Sequence, residues 1–196
     1  MAKSHLLAGG AALLLLVSAA AAVAVPKSFQ MHPANSVDIA AAKAGQGSLN
    51  HAIAAVEELT GGHVLEIHFE TGNGAGYYDA TITRNGTVDH ALVNLKTKQV
   101  AVVDRAQEPA RTFDFREKAD MEMVVRASKV ALRDAVSSAE QSSRGVAVSA
   151  RTTRSGDGYM VAHDVETVRG ETVHPVLVDA KTGLVIMDAQ AFAEGP

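Results

Sequence analysis

The sequence contains no cysteine and no tryptophan, and only 4% of its 196 residues are aromatic. Without cysteine the chain cannot form a disulfide framework, a zinc ribbon, an iron–sulfur cluster, a thiol nucleophile or an acylated lipobox cysteine. Basic residues are also fewer than acidic ones, since the formal net charge is -4 and the pI is about 6.0. Nucleic acid is therefore not expected as a partner, because phosphate binding needs a basic face.

Signatures of catalysis are missing as well. The sequence has no H-E-x-x-H motif, no G-x-S-x-G motif and no phosphate-binding loop with its lysine. Gly72, Gly74 and Gly76 are not followed by a helical pattern, so we interpret them as a turn rather than a dinucleotide site. We predict a protein that is not an enzyme, with no catalytic residues and no cofactor.

Long apolar runs occur only at the N-terminus. Lys3 precedes an apolar stretch that ends in small residues, with Ala22 and Ala24 forming an A-x-A cleavage site. We predict a signal peptide over residues 1–24 and a periplasmic or secreted protein of 172 residues and charge -5, with no membrane span after cleavage. The alternative is a retained anchor, because the apolar stretch is close to the ~20 residues that a spanning helix needs.

An internal repeat is the most informative feature of the remaining chain. Residues 87–100, TVDHALVNLKTKQV, align with residues 172–185, TVHPVLVDAKTGLV, at a constant offset of 85. Upstream of both segments the order of patterns is the same: an amphipathic helix, a glycine, an alternating strand, a glycine-rich turn with tyrosine, and another strand. A fixed period of this length indicates that one supersecondary unit occurs twice.

Hydrophobic periodicity assigns the elements of each copy. Apolar residues with helical spacing predict one helix in each copy, the first capped by Ser48 and ended by Gly61, the second ended by Gly145. The first stripe is Leu49, Ala52, Ile53, Val56 and Leu59, and the second is Val125, Leu132, Ala135, Val136 and Ala139. Alternating patterns predict strands over 63–70, 77–84, 88–95 and 100–103, and over 146–152, 159–167, 173–179 and 184–187.

These elements predict an α+β fold of two tandem repeats, each with one helix packed on a small antiparallel sheet in the order α-β-β-β-β. The predicted boundaries are a signal peptide at 1–24, an N-terminal arm at 25–47, repeat 1 at 48–104, a linker at 105–117 and repeat 2 at 118–190. We expect residues 25–35 to be a disordered spacer. Each copy is near the lower size limit for a self-sufficient core, so we expect the copies to pack together.

The junction Gly61-Gly62-His63-Val64-Leu65-Glu66-Ile67 and the closing segment Val178-Asp179-Ala180-Lys181-Thr182-Gly183-Leu184-Val185 resemble the PepSY domain. In the first copy, Asn94 stands where the aspartate would be and Lys98 where the turn glycine would be. The family occurs in propeptides of thermolysin-like metalloproteases and in exported bacterial proteins. The resemblance implies a non-enzymatic module that binds a protein partner and inhibits or regulates a peptidase at the cell envelope.

The segment containing Asp179, Lys181, Thr182 and Gly183 is explained without any function. Aspartate and threonine side chains can bond turn backbone, and glycine accepts a positive φ. We therefore predict a structural turn between two strands at this position. Asn85-Gly86 likewise predicts a type I′ hairpin turn.

Histidine offers the only candidate chemistry. Glu66, His68 and Glu70 share one face of a predicted strand, and His90 on a neighbouring strand could complete a metal site with nitrogen and oxygen ligands. An alternating Glu-His-Glu pattern usually forms a solvated sheet face, so we predict no metal site and keep these four residues as the alternative. His63 is interpreted as a histidine at the start of a strand or the edge of the core.

Two functions of different classes follow. The first is a modulator of a peptidase, with the strand ends at 100–103 or 184–187 offering backbone for β-addition. The second is a periplasmic metal or small-ligand carrier that uses the space between the repeats. The sequence leaves the oligomeric state and the identity of the partner open.

Overall fold

The computed structural model describes residues 32–33, 39–40, 48–72, 75–94, 97, 99–103, 123–154 and 160–188. The two long helices are α1 (Ser48–Thr60) and α2 (Leu132–Ser143). The strands are β1 (His32–Pro33), β2 (His63–Gly72), β3 (Ala75–Arg84), β4 (Thr87–Asn94), β5 (Val100–Val103), β6 (Val146–Arg154), β7 (Val161–Arg169), β8 (Thr172–Asp179) and β9 (Val185–Asp188).

All nine strands belong to one sheet, in the order β1-β8-β7-β6-β2-β3-β4-β5, with β9 also paired to β8. The predicted fold class of two repeats, each with its own small sheet, is therefore wrong. The individual strands form where alternation placed them, but β2 and β6 join across the middle of the molecule. Each is the first strand of its copy, and pairing them satisfies two rows of backbone groups that separate sheets would leave at their edges.

The pairing of β2 with β6 relates the two copies by a pseudo-twofold axis. Ile67 faces Ala150, and the flanking pairs join Glu66 to Arg151 and His68 to Ser149. Within these strands an offset of 83 converts each position of β2 into its counterpart in β6, so exchanging the copies converts one flanking pair into the other. Both strands also carry a register shift at equivalent places, between Val64 and Glu66 and between 147 and 149.

A single hydrophobic core joins the two copies. It contains buried residues of α1, α2 and the central strands, among them Ile53, Ile67, Val136 and Val165, which are fully buried. Asn50 of α1 also donates a hydrogen bond to the Ser137 hydroxyl of α2 over 3.0 Å. Because side chains alternate along a strand, the residues beside these core positions face away from the helices.

The bulge in β2 changes the predicted alternation. It brings Val64 into the main core with Ile67 and Phe69, while His63 at the start of the strand is exposed. Strict alternation over residues 63–70 would place His63 on the apolar face with Leu65, Ile67 and Phe69. A register shift cannot be read from hydrophobic alternation, because one additional residue reverses the faces of those before it.

The second helix is shorter than its apolar stripe predicts. Residues 123–127 form a separate helical turn that contains Val125, and α2 begins only after Ala131, whose backbone is extended. Between them, the backbone N–H groups of Lys129 and Val130 both donate to the carbonyl of Ala180. Those bonds to a distant turn replace the helical bonds, so the tertiary structure interrupts a pattern that is continuous in the sequence.

Turn chemistry agrees with the sequence. Asn85 and Gly86 have φ values of 51° and 78°, as a type I′ hairpin requires.

The predicted signal peptide, its residues Ala22 and Ala24, and the linker at 105–117 lie outside the described residues. In the arm, His32–Pro33 pairs with β8, so these two residues are not part of a disordered spacer.

Candidate functional site

A groove of about 430 Å³ follows the three paired positions of β2 and β6 and continues past one end of them, to Phe69, Glu70 and Val148. We call it the seam groove, because it runs along the boundary between the two copies. Its polar lining comes from three adjacent strands, β2, β6 and β7. These residues are Glu66, His68, Glu70, Ser149, Arg151, Asp164 and Glu166.

Cross-strand pairing places these side chains beside one another. Arg151 faces Glu66 on one side and Asp164 on the other, and Ser149 faces Glu166. The seam groove therefore contains four carboxylates, one guanidinium and one histidine. With the histidine neutral its formal charge is -3, and a concave site of one sign concentrates ions of the opposite sign.

Arg151 and Asp164 form the strongest ion pair of the seam groove. Nε and Nη2 of Arg151 donate to the same oxygen, Oδ2 of Asp164, over 3.0 Å and 2.7 Å. Asp164 is 7% exposed, and in the part of the chain that the structure describes its Oδ1 has no hydrogen-bond partner. Neutralising this buried carboxylate is the role of Arg151.

Burial by itself lowers the pKa of Arg151, but its surroundings outweigh that effect and raise the pKa. The hydrogen bond to Asp164 and the charge of Asp164 contribute most of the increase. The charges of Glu66 and Glu166 add to it. The guanidinium is therefore a permanent cation. Its one positive charge is outnumbered by the four carboxylates of the seam groove.

Two residues of the seam groove, His68 and Glu70, also form a cluster with Asp79 of β3, which we call the histidine cluster. One ligand atom from each lies within 4.8 Å of the others. His68 and Glu70 are two residues apart on β2, with His68 Nε2 and Glu70 Oε1 separated by 3.0 Å, and Asp79 faces His68 across the β2–β3 pair. Two carboxylates within 4.8 Å of each other repel, so the cluster favours a cation.

Two further side chains hold the carboxylates of the histidine cluster in place. The Tyr77 hydroxyl donates to Oε2 of Glu70 over 2.6 Å. His90 Nδ1 lies 3.6 Å from Oδ1 of Asp79, and both residues are buried, at 6% and 4% exposure. The carboxylates are thus oriented by groups on β3 and β4.

The structure brings together only part of the set of candidate metal ligands, Glu66, His68, Glu70 and His90, that the sequence analysis kept as an alternative. His68 and Glu70 are in the histidine cluster, Glu66 lines the seam groove without joining the cluster, and His90 lies behind Asp79. Asp79 was missed by sequence reasoning. The repeat contains the signal that could have found it, since the offset of 85 aligns Asp79 with Asp164.

The two copies thus present the same cross-strand arrangement with a different nitrogen-containing side chain in each. In the second copy Arg151 of the first strand faces the buried Asp164 of the next. In the first copy His68 occupies the position of Arg151 and faces Asp79. An arginine in one copy corresponds to a histidine in the other, and only the histidine has a lone pair for a metal ion.

A second cavity, of about 450 Å³, lies between β2 and the segment before α2, with His63 and His163 in its lining. His163 is 1% exposed; its Nε2 donates to the carbonyl of Val130 over 3.0 Å, and the Thr152 hydroxyl lies 3.1 Å from its Nδ1. Burial lowers the pKa of His163, although the Val130 carbonyl and the charge of Asp179 act in the opposite direction. A neutral imidazole fits this pair of bonds, with Nε2 protonated.

The segment from Asp179 to Gly183 forms a tight turn between β8 and β9. Oδ1 of Asp179 accepts hydrogen bonds from the backbone N–H groups of Lys181 and Thr182 and from the Thr182 hydroxyl. Although burial raises the pKa of Asp179, these bonds and the charge of Lys181 lower it overall. Gly183 has a φ of 75°, which favours glycine. The side chains of Asp179 and Thr182 therefore stabilise the turn itself.

Among the residues that the structure describes, no helix is both long enough and apolar enough to span a membrane.

Comparisons with known proteins are sparse. No protein-family model matches the chain, and no curated protein matches it. Among solved structures, the chain is similar to a protein of Clostridium difficile 630 that is described as a candidate lipoprotein. The two share 13% identity over 70% of this chain and 88% of that chain, with a TM-score of 0.37. A likeness this distant does not establish a shared fold, and the resemblance to the PepSY domain stays a prediction.

Proposed function

We propose that the chain is an exported, non-enzymatic binding protein that holds a cation or a cationic small ligand in the seam groove. The observation that carries this proposal is the groove itself, with four carboxylates against one guanidinium at the boundary between the copies. The groove is lined by β2 of the first copy and by β6 and β7 of the second, so the site exists only when the copies form one sheet. The signal-like residues 1–24 support export to the periplasm or the medium.

The test is ligand-induced stabilisation of the mature protein, residues 25–196. Divalent metal ions and organic di- and polyamines are titrated at constant ionic strength, and the melting temperature is followed. A ligand that binds only the native state stabilises it by about 2.7 kcal/mol at 100 times its Kd. For a protein of this size that corresponds to roughly 5–10 °C.

The double variant Glu66→Gln/Glu166→Gln removes two of the four carboxylates of the seam groove and should lose most of this stabilisation. The matched control is Glu58→Gln/Glu171→Gln, which changes the net charge equally at two exposed positions on α1 and in the β7–β8 hairpin. Equal responses of the two double variants, or no stabilisation of the parent protein by any cation, would refute the proposal.

Binding to a peptidase is the second candidate, and one observation favours it. β5 is the outermost strand at one end of the described sheet, and Ala101 and Val102 on it are exposed. An edge strand of this kind can accept a further strand from a partner. We expect micromolar mature protein to inhibit a thermolysin-like peptidase, and a proline at Val102 to weaken the inhibition; an uninhibited panel of such peptidases contradicts this candidate.

A further inference from the structure

We propose that the histidine cluster, His68, Glu70 and Asp79, binds one divalent first-row transition metal ion, with Zn²⁺ as the probe. This inference rests on the proposed function, because it names one cation and one place for it at the edge of the seam groove, where His68 and Glu70 line it. The three ligand atoms already lie within 4.8 Å of one another. In a tetrahedral zinc site, with bonds of about 2.0–2.2 Å, ligand atoms are roughly 3.4 Å apart.

The ligand atoms must move only a short distance to reach the spacing of a zinc site. The side chains that have to move are partly exposed. His68 Nε2 and Glu70 Oε1 are 3.0 Å apart, and these side chains are 40% and 42% exposed. Asp79 is buried and supplies the fixed point of the site. A metal ion can therefore enter from solvent and draw two half-exposed ligands toward one buried carboxylate.

The donor atoms select the class of metal. One imidazole nitrogen and two carboxylates suit Zn²⁺ and its first-row neighbours, whereas Mg²⁺ and Ca²⁺ prefer oxygen ligands alone. Three protein ligands leave a fourth position for water or for a group of a second molecule.

The surroundings are arranged as metal ligands require. Tyr77 donates to the oxygen of Glu70 that does not face His68, and His90 lies against Asp79. Groups that orient ligating side chains in this way typically change metal affinity by 10–100-fold when they are removed.

The repeat explains why only one copy carries the site. The positions in the second copy that correspond to His68, Glu70 and Asp79 are Arg151, Thr153 and Asp164, at offsets of 83 and 85. There the guanidinium of Arg151 satisfies the buried aspartate permanently. In the first copy His68 takes the place of Arg151 and faces Asp79, the counterpart of Asp164. A metal ion bound by His68 and Asp79 can exchange, unlike a guanidinium.

The experiment measures metal binding by the mature protein without a histidine tag, in competition with a chromophoric chelator. We expect one Zn²⁺ per chain, with Mg²⁺ and Ca²⁺ at least 100-fold weaker. His68→Ala should weaken Zn²⁺ binding at least 10-fold, and Glu70→Gln does the same at a half-exposed position where misfolding is not a concern. The matched control is His63→Ala, an exposed histidine at the start of the same strand, which should leave the affinity within a factor of two.

The outcomes separate this inference from the proposed function. If Zn²⁺ does not bind, or if His68→Ala and Glu70→Gln bind it as well as His63→Ala does, the metal site is refuted. A polyamine that still stabilises the protein through Glu66 and Glu166 would then leave the proposed function intact. If Zn²⁺ binding depends on His68 and Glu70 while Glu66→Gln/Glu166→Gln affects no ligand, the metal site stands and the seam groove is refuted.

Discussion

At the scale of single residues, His163 shows how burial and hydrogen bonding select one protonation state. Its ring is buried against Thr152 of β6 and the segment before α2, where it bonds to the Val130 carbonyl. Protonation would place a charge among buried groups and would prevent Nδ1 from accepting a bond from Thr152. The native state therefore holds this histidine neutral below the pH at which an unfolded chain would protonate it.

This makes native stability depend on pH in a defined direction. The pKa of His163 is lowered in the native state from its ordinary value of 6.5. Below about pH 6.5 the unfolded chain binds the proton and the native state does not, so the free energy of unfolding decreases as the pH falls. Urea unfolding at pH 7.5, 6.0 and 5.0 should show this loss, and His163→Gln, whose amide can replace both bonds, should reduce it. Identical pH dependence in the two proteins would contradict the assignment.

At the scale of elements, each copy makes the same junction between its helix and its first strand. Thr60 and Ser143 donate from their hydroxyls to the carbonyl one helical turn earlier and accept from the N–H of Gly62 and Gly145. Glu57 and Glu140 accept hydrogen bonds from the backbone N–H groups of Val64 and Ala147, the second residues of the two bulged strands. The identity of these bonds is physical evidence for the repeat, independent of the aligned letters.

The glycine of this junction is required by space. A Cβ on Gly62 would lie 2.9 Å from the carbonyl oxygen of Thr83, and one on Gly145 would lie 3.0 Å from that of Val168. Backbone cannot move away as a flexible side chain would, so Gly62→Ala and Gly145→Ala should each destabilise the protein by about 1–3 kcal/mol. Urea unfolding measures this, and Glu58→Ala on the exposed face of α1 should stay within about 0.5 kcal/mol. An unchanged midpoint in either glycine variant would show that the junction can open.

At the scale of the whole molecule, the pairing of β2 with β6 converts two units into one body. The shared core contains residues from both helices and from strands of both copies. Units joined by a common core and a continuous sheet are expected to unfold together. The seam is thus both the site of the proposed function and the main connection between the copies.

Ile67 tests this unity because it is fully buried and lies on the pseudo-twofold axis. Ile67→Ala should cost about 2–5 kcal/mol, and the loss should appear equally in both copies. Circular dichroism should show one transition, and amide exchange should accelerate in β7 as much as in β3. Val102→Ala on the exposed edge strand is the control. Two separate transitions, or faster exchange confined to the first copy, would contradict a single cooperative unit.

Several elements could be predicted because their causes are local. The Asn85-Gly86 hairpin, the turn held by Asp179 and the apolar stripe of α1 depend on residues within a few positions of one another. The candidate site could be predicted only in part. His68 and Glu70 share a face through strand alternation, but the pairing of His68 with Asp79 depends on the register between two strands.

The sequence by itself determined the type of most elements, the absence of thiol chemistry and the acidic character of the chain. Only the tertiary structure decided that the two sheets merge, that the second helix begins at Leu132, and that a buried aspartate faces His68 in one copy and Arg151 in the other. The physical reason is range. Turn and helix propensities act over a few residues, whereas the pairing of β2 with β6 joins positions more than 80 residues apart, and its free energy comes from edges and apolar faces that local patterns do not specify.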